Sequence, residues 1–282
     1  AAKTWYYRGF IYKDFYKKKE KSNKVSPARL VAIDSFREML KLKGKEGFQE
    51  SSFNILKYLS STLYNDAARM LDPDNYTQAM DNYEKFRNTM LIINSGLDLT
   101  AQDVKFKLVL ASMLNRPAET TEGLDSVQLV QIKKLYIEIL DLDSNNPGAN
   151  YNLAILHYNE AADIINDMDY DMDIMKLNEV QDYCIKVFKE GLPYMMKSYE
   201  LGYKMRETLI GLSNIYYGLN DIEKSELYKK ELEELEAKKR YLFIKKRLKE
   251  LEDKDERGSD GYKKYNDELK NLTDKFKGLE KE

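Results

Sequence analysis

The chain has 282 residues, of which 46 are Lys or Arg and 48 are Asp or Glu, and this balance argues against a nucleic-acid-binding surface, which is normally strongly basic. A single cysteine excludes an intrachain disulfide, and the longest mainly apolar stretch, residues 108–114 with Ser112 inside it, is far too short to span a bilayer. With only five prolines and a third of its residues charged, the composition is typical of an all-α protein built from long helices.

The N-terminal stretch predicts a pair of helices. Trp5, Gly9 and Tyr12 recur at the spacing of one helix face. A basic connector with few apolar residues, 17–24, follows, and Ser26 with a proline after it starts a second helix as N-cap and first-turn residue. The packing positions of this second helix are Ala32, Phe36 and Met39.

The next segments continue the alternation of helices and short connections. Residues 48–71 predict a long helix, and a second helix carries Ala79, Tyr83 and Phe86 on its apolar face. Residues 101–115 form another predicted helix, whose register the pattern does not fix. A polar loop from Pro117 to Gly123 then separates it from a helix over residues 126–142.

A helix–turn–helix junction over residues 131–158 indicates the architecture. Its first helix ends at Asp143, Asn146 caps the second helix, and Pro147 occupies the first turn. Two short amphipathic helices joined by so tight a turn cannot bury their apolar faces alone. They need stacked neighbours, which is the property of a helical repeat array.

These features resemble the tetratricopeptide repeat, a 34-residue pair of helices called A and B. In this family the first packing residue of a B helix is followed, 22 residues later, by a small residue in the A helix of the next repeat. The spacing is 22 from Ile132 to Ala154 and again from Gly191 to Ser213. The resemblance covers residues 1–238 and implies an all-α, right-handed superhelix of about five helix pairs.

An acidic stretch interrupts the pattern between residues 164 and 175. Its alternating carboxylates, from Asp167 to Asp173, begin like a calcium-binding loop, but Met172 replaces the required glycine and Asn178 the bidentate glutamate. A solvated loop is the alternative that we favour, and no cofactor or metal is expected. A long B-type helix over residues 177–201 follows, and Pro193 is expected to kink it or to make it locally irregular.

The C-terminal segment, 239–282, changes to a seven-residue period. Tyr241, Ile244, Leu248 and Leu251 lie on heptad a and d positions, and the same frame resumes after a break at 257–261 and continues as far as Leu279. The break predicts an antiparallel helical hairpin, and the alternative is a coiled coil that pairs with another chain. We therefore divide the chain into a repeat domain, 1–238, and a C-terminal extension, 239–282.

The tetratricopeptide resemblance implies a concave groove lined by A helices. The matching positions carry aromatic and amide side chains suited to gripping a peptide, although half of them could instead pack between helices. One subfamily holds C-terminal carboxylates with Lys and Asn, and this chain has other residues at those positions. The implied groove residues are Tyr6, Phe10, Tyr64, Asn65, Tyr151, Asn152, Ile155, Tyr158, Asn214 and Tyr217.

The sequence gives no indication of an enzyme. His157 is the only histidine, so neither a catalytic triad nor a histidine-based zinc site has its partners, and a packing role is favoured. Cys184 is expected to be a small buried residue. No glycine-rich phosphate loop and no G-x-S-x-G motif occurs.

The predicted function is a non-enzymatic scaffold that binds another protein or a peptide, with no nucleic acid. The alternative is a structural subunit that forms a homo- or hetero-oligomer through residues 239–282. The opening residues and long inserts also resemble exported repeat proteins of the Bacteroidetes. That resemblance implies a periplasmic or outer-membrane-associated location, with the cytoplasm as the alternative. Because the sequence begins inside a repeat and without an initiator Met, we also expect a processed or truncated N-terminus.

Overall fold

The computed structural model describes residues 1–72, 76–115, 126–169 and 171–276, and no β-strand occurs in these ranges. The all-α prediction is therefore confirmed for the described part of the chain. Its helices are α1 (Ala2–Phe15), α2 (Pro27–Leu40), α3 (Gln49–Arg69), α4 (Tyr76–Ile93), α5 (Thr100–Leu114), α6 (Ser126–Leu142), α7 (Pro147–Asn166), α8 (Ile174–Glu200), α9 (Met205–Gly218), α10 (Ile222–Asp253) and α11 (Asp260–Lys275).

The chain forms two compact units, residues 1–135 and 136–282, and the division falls within α6. In the N-terminal unit α1 packs on α2, α2 on α3, and α3 on α4. In the C-terminal unit α7 packs on α8, α8 on α9, α9 on α10, and α10 on α11, while α7 also contacts α9. The predicted domain boundary after residue 238 falls inside the continuous helix α10 and stays a prediction.

Two helix starts follow the capping chemistry that the sequence predicts. The Ser26 side chain accepts a hydrogen bond from the Arg29 backbone N–H at 3.0 Å, with proline in the first turn of α2. The Asn146 side chain accepts from the Ala149 N–H, also at 3.0 Å, with Pro147 in the first turn of α7. Both predicted caps are therefore confirmed. They form because an N-cap oxygen accepts from a backbone N–H that the helix itself leaves unpaired.

Two connections are shorter than the sequence suggests. The chain continues as a π-helical segment, Tyr16–Glu20, directly after α1, so half of the expected basic connector is helical. Tyr16 is buried within it, which gives that segment a packing role. The break after residue 164 is also shorter, since α7 runs to Asn166 and α8 starts at Ile174 and is continuous through Pro193.

The C-terminal helices α10 and α11 lie antiparallel. Arg240 Nε lies 2.6 Å from a carboxylate oxygen of Glu268, and Tyr262, near the start of α11, donates to Glu252, near the end of α10, at 2.8 Å. Ser259 caps α11. These contacts are those of a helical hairpin, whose turn at residues 254–259 starts earlier than the predicted break at 257–261. Leu279 and the loop from Pro117 to Gly123 lie outside the described residues.

None of the described helices combines the length and the low polarity that crossing a membrane requires.

Candidate functional site

The predicted groove residues lie on four helices. Tyr6 and Phe10 lie on α1, Tyr64 and Asn65 on α3, four residues on α7, and Asn214 and Tyr217 on α9. The exposure of their side chains varies. Phe10, Asn65, Asn214 and Tyr217 are exposed, and the rest are half-buried: Tyr6, Tyr64, Tyr151, Asn152, Ile155 and Tyr158.

In the N-terminal unit Tyr6 joins α1 to α3. Its hydroxyl lies 2.9 Å from the Ser51 hydroxyl on α3, and its ring centroid lies 4.7 Å from that of Phe48. The ring also meets Phe36 of α2 edge-on at 6.0 Å. Tyr6 therefore stabilises the contact between helices and presents only part of its surface to solvent.

Phe10 lines an open groove of about 530 Å³, the α1–α3 groove. The α1 side contributes Phe10 with Lys13 and Lys17, and the α3 side contributes Asn54, Ile55 and Tyr58. Of these six residues the sequence analysis names only Phe10. It misses Lys17 because the π-helical segment was expected to be an irregular connector.

Tyr64 and Asn65 line a second open groove, of about 500 Å³, with Gln102 and Lys105 of α5. The Tyr64 ring packs on Phe86 of α4 at a centroid distance of 5.2 Å, so its hydrophobic face supports the groove wall. The two α5 residues were not predicted because the register of α5 could not be fixed. Apolar walls with a few amides and one lysine suit a short peptide segment.

In the C-terminal unit Tyr151 is held by residues just before α9. Its ring meets the Tyr203 ring edge-on at 5.9 Å, and the Lys204 ammonium lies 4.6 Å from its centroid. Burial raises the pKa of the Tyr151 phenol, and the negative charge of Glu207 raises it further. The hydroxyl is therefore protonated near neutral pH and able to donate a hydrogen bond.

Tyr158 and Asn214 bring α7 and α9 together. The Asn214 side-chain amide donates to the Tyr158 hydroxyl at 3.2 Å, and the Tyr158 ring packs on Phe188 of α8 at 6.1 Å. Tyr217, one turn after Asn214, is 65% exposed, with the Lys229 ammonium 5.9 Å from its ring. The two helices thus present an amide and two tyrosines, one half-buried and one largely in solvent.

His157 is a buried residue of the α7–α8 contact. Its Nδ1 lies 3.8 Å from a Glu190 carboxylate oxygen, and its ring is parallel to the Tyr194 ring at a centroid distance of 6.4 Å. Its Cβ would lie 2.8 Å from a Cβ added at Gly191, so the two helices approach closely here. This environment suits the packing role predicted for the residue.

The other residues considered for chemistry also serve the packing. Cys184 is buried, its thiol lies 3.7 Å from the Ala161 carbonyl oxygen, and burial raises the pKa of that thiol. In the acidic stretch Asp173 caps α8, and Asp169 accepts a hydrogen bond from the Asp171 N–H; residue 170 lies outside the described ranges. Within those ranges no three His, Cys, Asp or Glu side chains are placed to hold a metal ion.

No family model matches the chain. None of the curated proteins matches its sequence either.

Proposed function

We propose that the protein is a non-enzymatic interaction scaffold that binds a peptide or an extended protein segment. In this proposal the helices stack as tetratricopeptide-like pairs, and α1, α3, α5, α7 and α9 are their A helices. The observation that carries it is the set of half-buried tyrosines on these helices, Tyr6 and Tyr64 in the N-terminal unit and, in a row of their own, Tyr151 and Tyr158 in the C-terminal unit. In the C-terminal unit the row includes the Asn214–Tyr158 hydrogen bond, which joins two proposed A helices.

The burial pattern supports the repeat register. Ile132, Tyr136 and Ile139 are fully buried, as the family's B-helix packing positions require. In α8, Gly191 occupies the first such position, where the close approach of α7 leaves no room for a larger side chain. Both sites depend on small or apolar residues at the helix contact, which is how stacked pairs bury a continuous core.

The physical state of the tyrosines supports a binding role. Tyr151 and Tyr158 are already held by ring contacts and, for Tyr158, by an amide donor. Little side-chain entropy therefore remains to be lost when a ligand covers their exposed parts. Tyrosine also offers a large contact area together with a hydroxyl, which makes it a frequent anchor in binding surfaces.

The proposal is tested by selecting ligands from a phage-displayed library of random peptides on the intact protein. Tyr217→Ala should weaken the selected peptides by about 2 kcal/mol, about thirtyfold in Kd, if this exposed ring is an anchor. Because Tyr217 is 65% exposed, the free energy of unfolding should hardly change.

Tyr183→Ala is the matched control. Tyr183 is also partly exposed, at 43%, but it lies on α8, which is a proposed B helix outside the groove. Binding of the selected peptides should be unaffected by this change. Failure to select any peptide, or equal losses for both variants, would count against a groove on α7 and α9.

A second candidate function is assembly through the C-terminal helices. Among the described residues of α11 none is buried, and α10 exposes Leu242 by 57% and Phe243 by 44%. Such an apolar surface on a helical hairpin suits pairing with another hairpin. Sedimentation of the full chain should then show a dimer that Leu242→Glu converts to a monomer; a wild-type monomer at all concentrations would remove this candidate.

As part of the same proposal we retain a periplasmic or outer-membrane-associated location, which the Bacteroidetes resemblance implies. Fractionation of the source cells tests it directly. Recovery with cytoplasmic markers would contradict it.

A further inference from the structure

The α1–α3 groove has an apolar wall on each side and lysines along one side. Phe10 is 39% exposed and Tyr58 is 37% exposed, so each ring presents surface to a ligand across the groove. Ile55, about one turn before Tyr58 on α3, also lines the groove and is half-buried. A groove of about 530 Å³ is within the range of sites that hold small ligands or a few side chains.

The segment that forms one side of this groove is rich in positive charge. Residues 1–24 contain eight Lys or Arg and only two acidic residues, Asp14 and Glu20. Both acidic residues are already engaged. Asp14 pairs with Lys13, and the Glu20 carboxylate accepts hydrogen bonds from the Ser26 hydroxyl at 2.6 Å and the Ala28 N–H at 3.2 Å.

Lys13 and Lys17 differ in how their charges are used. Lys13 is largely buried, lies against Asp14, and holds its ammonium 3.9 Å from the centre of the Phe10 ring. Lys17 lines the groove and is exposed. Lys18 and Lys19 after it are also exposed, and within the described ranges none of these three has a carboxylate at ion-pair distance. The unneutralised charge is therefore concentrated at the Lys17 end of the groove.

The one carboxylate that lines the groove lies toward its other end. Glu50 precedes Tyr58 by about two turns of α3, and Ser51 beside it is close to Tyr6. The groove thus has a direction, with a carboxylate near Tyr6 at one end and the unpaired Lys17 ammonium toward the other. A ligand with acidic residues on one side of an apolar residue matches that direction.

We propose that the α1–α3 groove binds an acidic peptide segment, in which an apolar side chain lies between Phe10, Ile55 and Tyr58 and flanking Asp or Glu side chains meet Lys17. This inference rests on the proposed function, because it names the chemistry of the segment that the N-terminal unit takes. The groove lies between α1 and α3 and combines the exposed rings of Phe10 and Tyr58 with the charge of Lys17, so it offers both an apolar contact and a cation to one peptide segment. Charge complementarity selects the ligand and speeds its association.

The test uses the intact protein and a phage-displayed library of random peptides. Among the selected peptides, those whose binding does not depend on Tyr217 should carry more Asp and Glu than the library, next to an aromatic or aliphatic residue. A fluorescein-labelled selected peptide should bind Lys17→Glu about tenfold more weakly, and added salt should weaken its binding to wild type.

Lys43→Glu is the matched control, since Lys43 is exposed in the connection between α2 and α3 and does not line the groove. It changes the net charge equally and should alter the Kd by less than about twofold. Equal losses for the two variants would overturn the proposal, because they would reflect overall charge. Circular dichroism melting of each variant verifies that the fold is kept.

The outcomes separate this inference from the proposed function. Selected peptides without acidic enrichment, whose binding depends on Tyr217 and not on Lys17, would overturn this inference alone. Selection of no peptide would overturn both. Vesicles containing phosphatidylglycerol provide the remaining arm: binding to them that Lys17→Glu abolishes, without acidic peptides being selected, would overturn the peptide assignment in favour of a lipid surface.

Discussion

The two units are built from similar helices but differ in charge and in how their cores are specified. Residues 1–135 contain 22 Lys or Arg and 16 Asp or Glu, whereas residues 136–282 contain 24 and 32. The near-neutral chain is therefore a basic unit followed by an acidic one. The whole-chain balance argues against a nucleic-acid surface, but it conceals a local excess that suits an acidic ligand.

The cores of the two units also differ, in whether a buried ion pair or close helix packing fixes the arrangement of the helices. In the N-terminal unit the guanidinium of Arg29 is buried between α2 and α3, where it contacts Asp66 at 2.6 Å and Thr62 at 3.2 Å and donates to the Lys24 carbonyl at 2.6 Å. Among the described residues of the C-terminal unit no Arg, Lys, Asp or Glu is buried, and Gly191 lets α7 and α8 approach closely. Buried ion pairs and close packing are alternative ways to fix one helix arrangement, and they should fail differently when disturbed.

The largest expected effect is at the buried ion pair. Arg29→Met leaves the Asp66 carboxylate buried without its partner, which should lower the free energy of unfolding by about 3–5 kcal/mol. Denaturant unfolding measures the loss, and hydrogen exchange followed by mass spectrometry should place it in residues 1–135.

The control for this change removes both charges. Arg29→Met combined with Asp66→Leu should recover most of the stability, because no buried charge remains unpaired. If the double variant is as unstable as the single one, the shape of the guanidinium and its donation to the Lys24 carbonyl matter more than the pairing. An unaffected single variant would contradict the account of the N-terminal core.

The second effect is at the close helix contact in the C-terminal unit. In Gly191→Ala the new Cβ would lie 2.8 Å from the Cβ of His157 on a neighbouring helix, so α7 or α8 must shift. We expect a loss of about 1–3 kcal/mol, measured by denaturant unfolding.

Gly211→Ala is its matched control. There the added Cβ meets the terminal methyl of Met195, which can rotate away, and alanine favours the helix over glycine by about 1 kcal/mol. This variant should be neutral or slightly stabilised. Similar losses at both glycines would indicate that crowding in this unit is general and not specific to the α7–α8 contact.

The smallest effect is at a helix start. Asn146→Ala removes the acceptor for the Ala149 N–H and should destabilise α7 by about 1 kcal/mol, as judged from the denaturation midpoint. Asn145→Ala, one residue earlier and exposed, is the control and should change the midpoint little. A larger loss for Asn145→Ala would mean that the turn itself, rather than the cap, stabilises the junction.

What could be predicted from the sequence was the local chemistry of helices. The two caps and the bounds of α6 follow from residues adjacent in the chain, because capping and hydrophobic periodicity are local. The π-helical segment was not predicted, since its lysines look like a solvated connector and only the burial of Tyr16 explains its order.

The candidate site was only partly predictable, because a groove is formed by residues from different helices. The repeat register predicts Phe10 as a groove residue. Lys17 and Tyr58 line the same groove, but they lie on different helical segments, and a pattern within one helix cannot show that they are close. Lys105 was missed for a similar reason. The long insert before α6 leaves the register of α5 undetermined, so only the structure shows which face of α5 lies toward Tyr64.

The central claim is that tyrosines on the proposed A helices bind a peptide, and the most direct measurement is the Kd of a selected peptide for Tyr151→Ala combined with Tyr158→Ala. Both side chains are half-buried, so the Kd should be measured well below the melting temperature of the variant. The account predicts a loss of at least about thirtyfold in affinity for protein that remains folded. An unchanged Kd per folded molecule, together with a lower melting temperature, would contradict it, because the two tyrosines would then be part of the core and not of a binding groove.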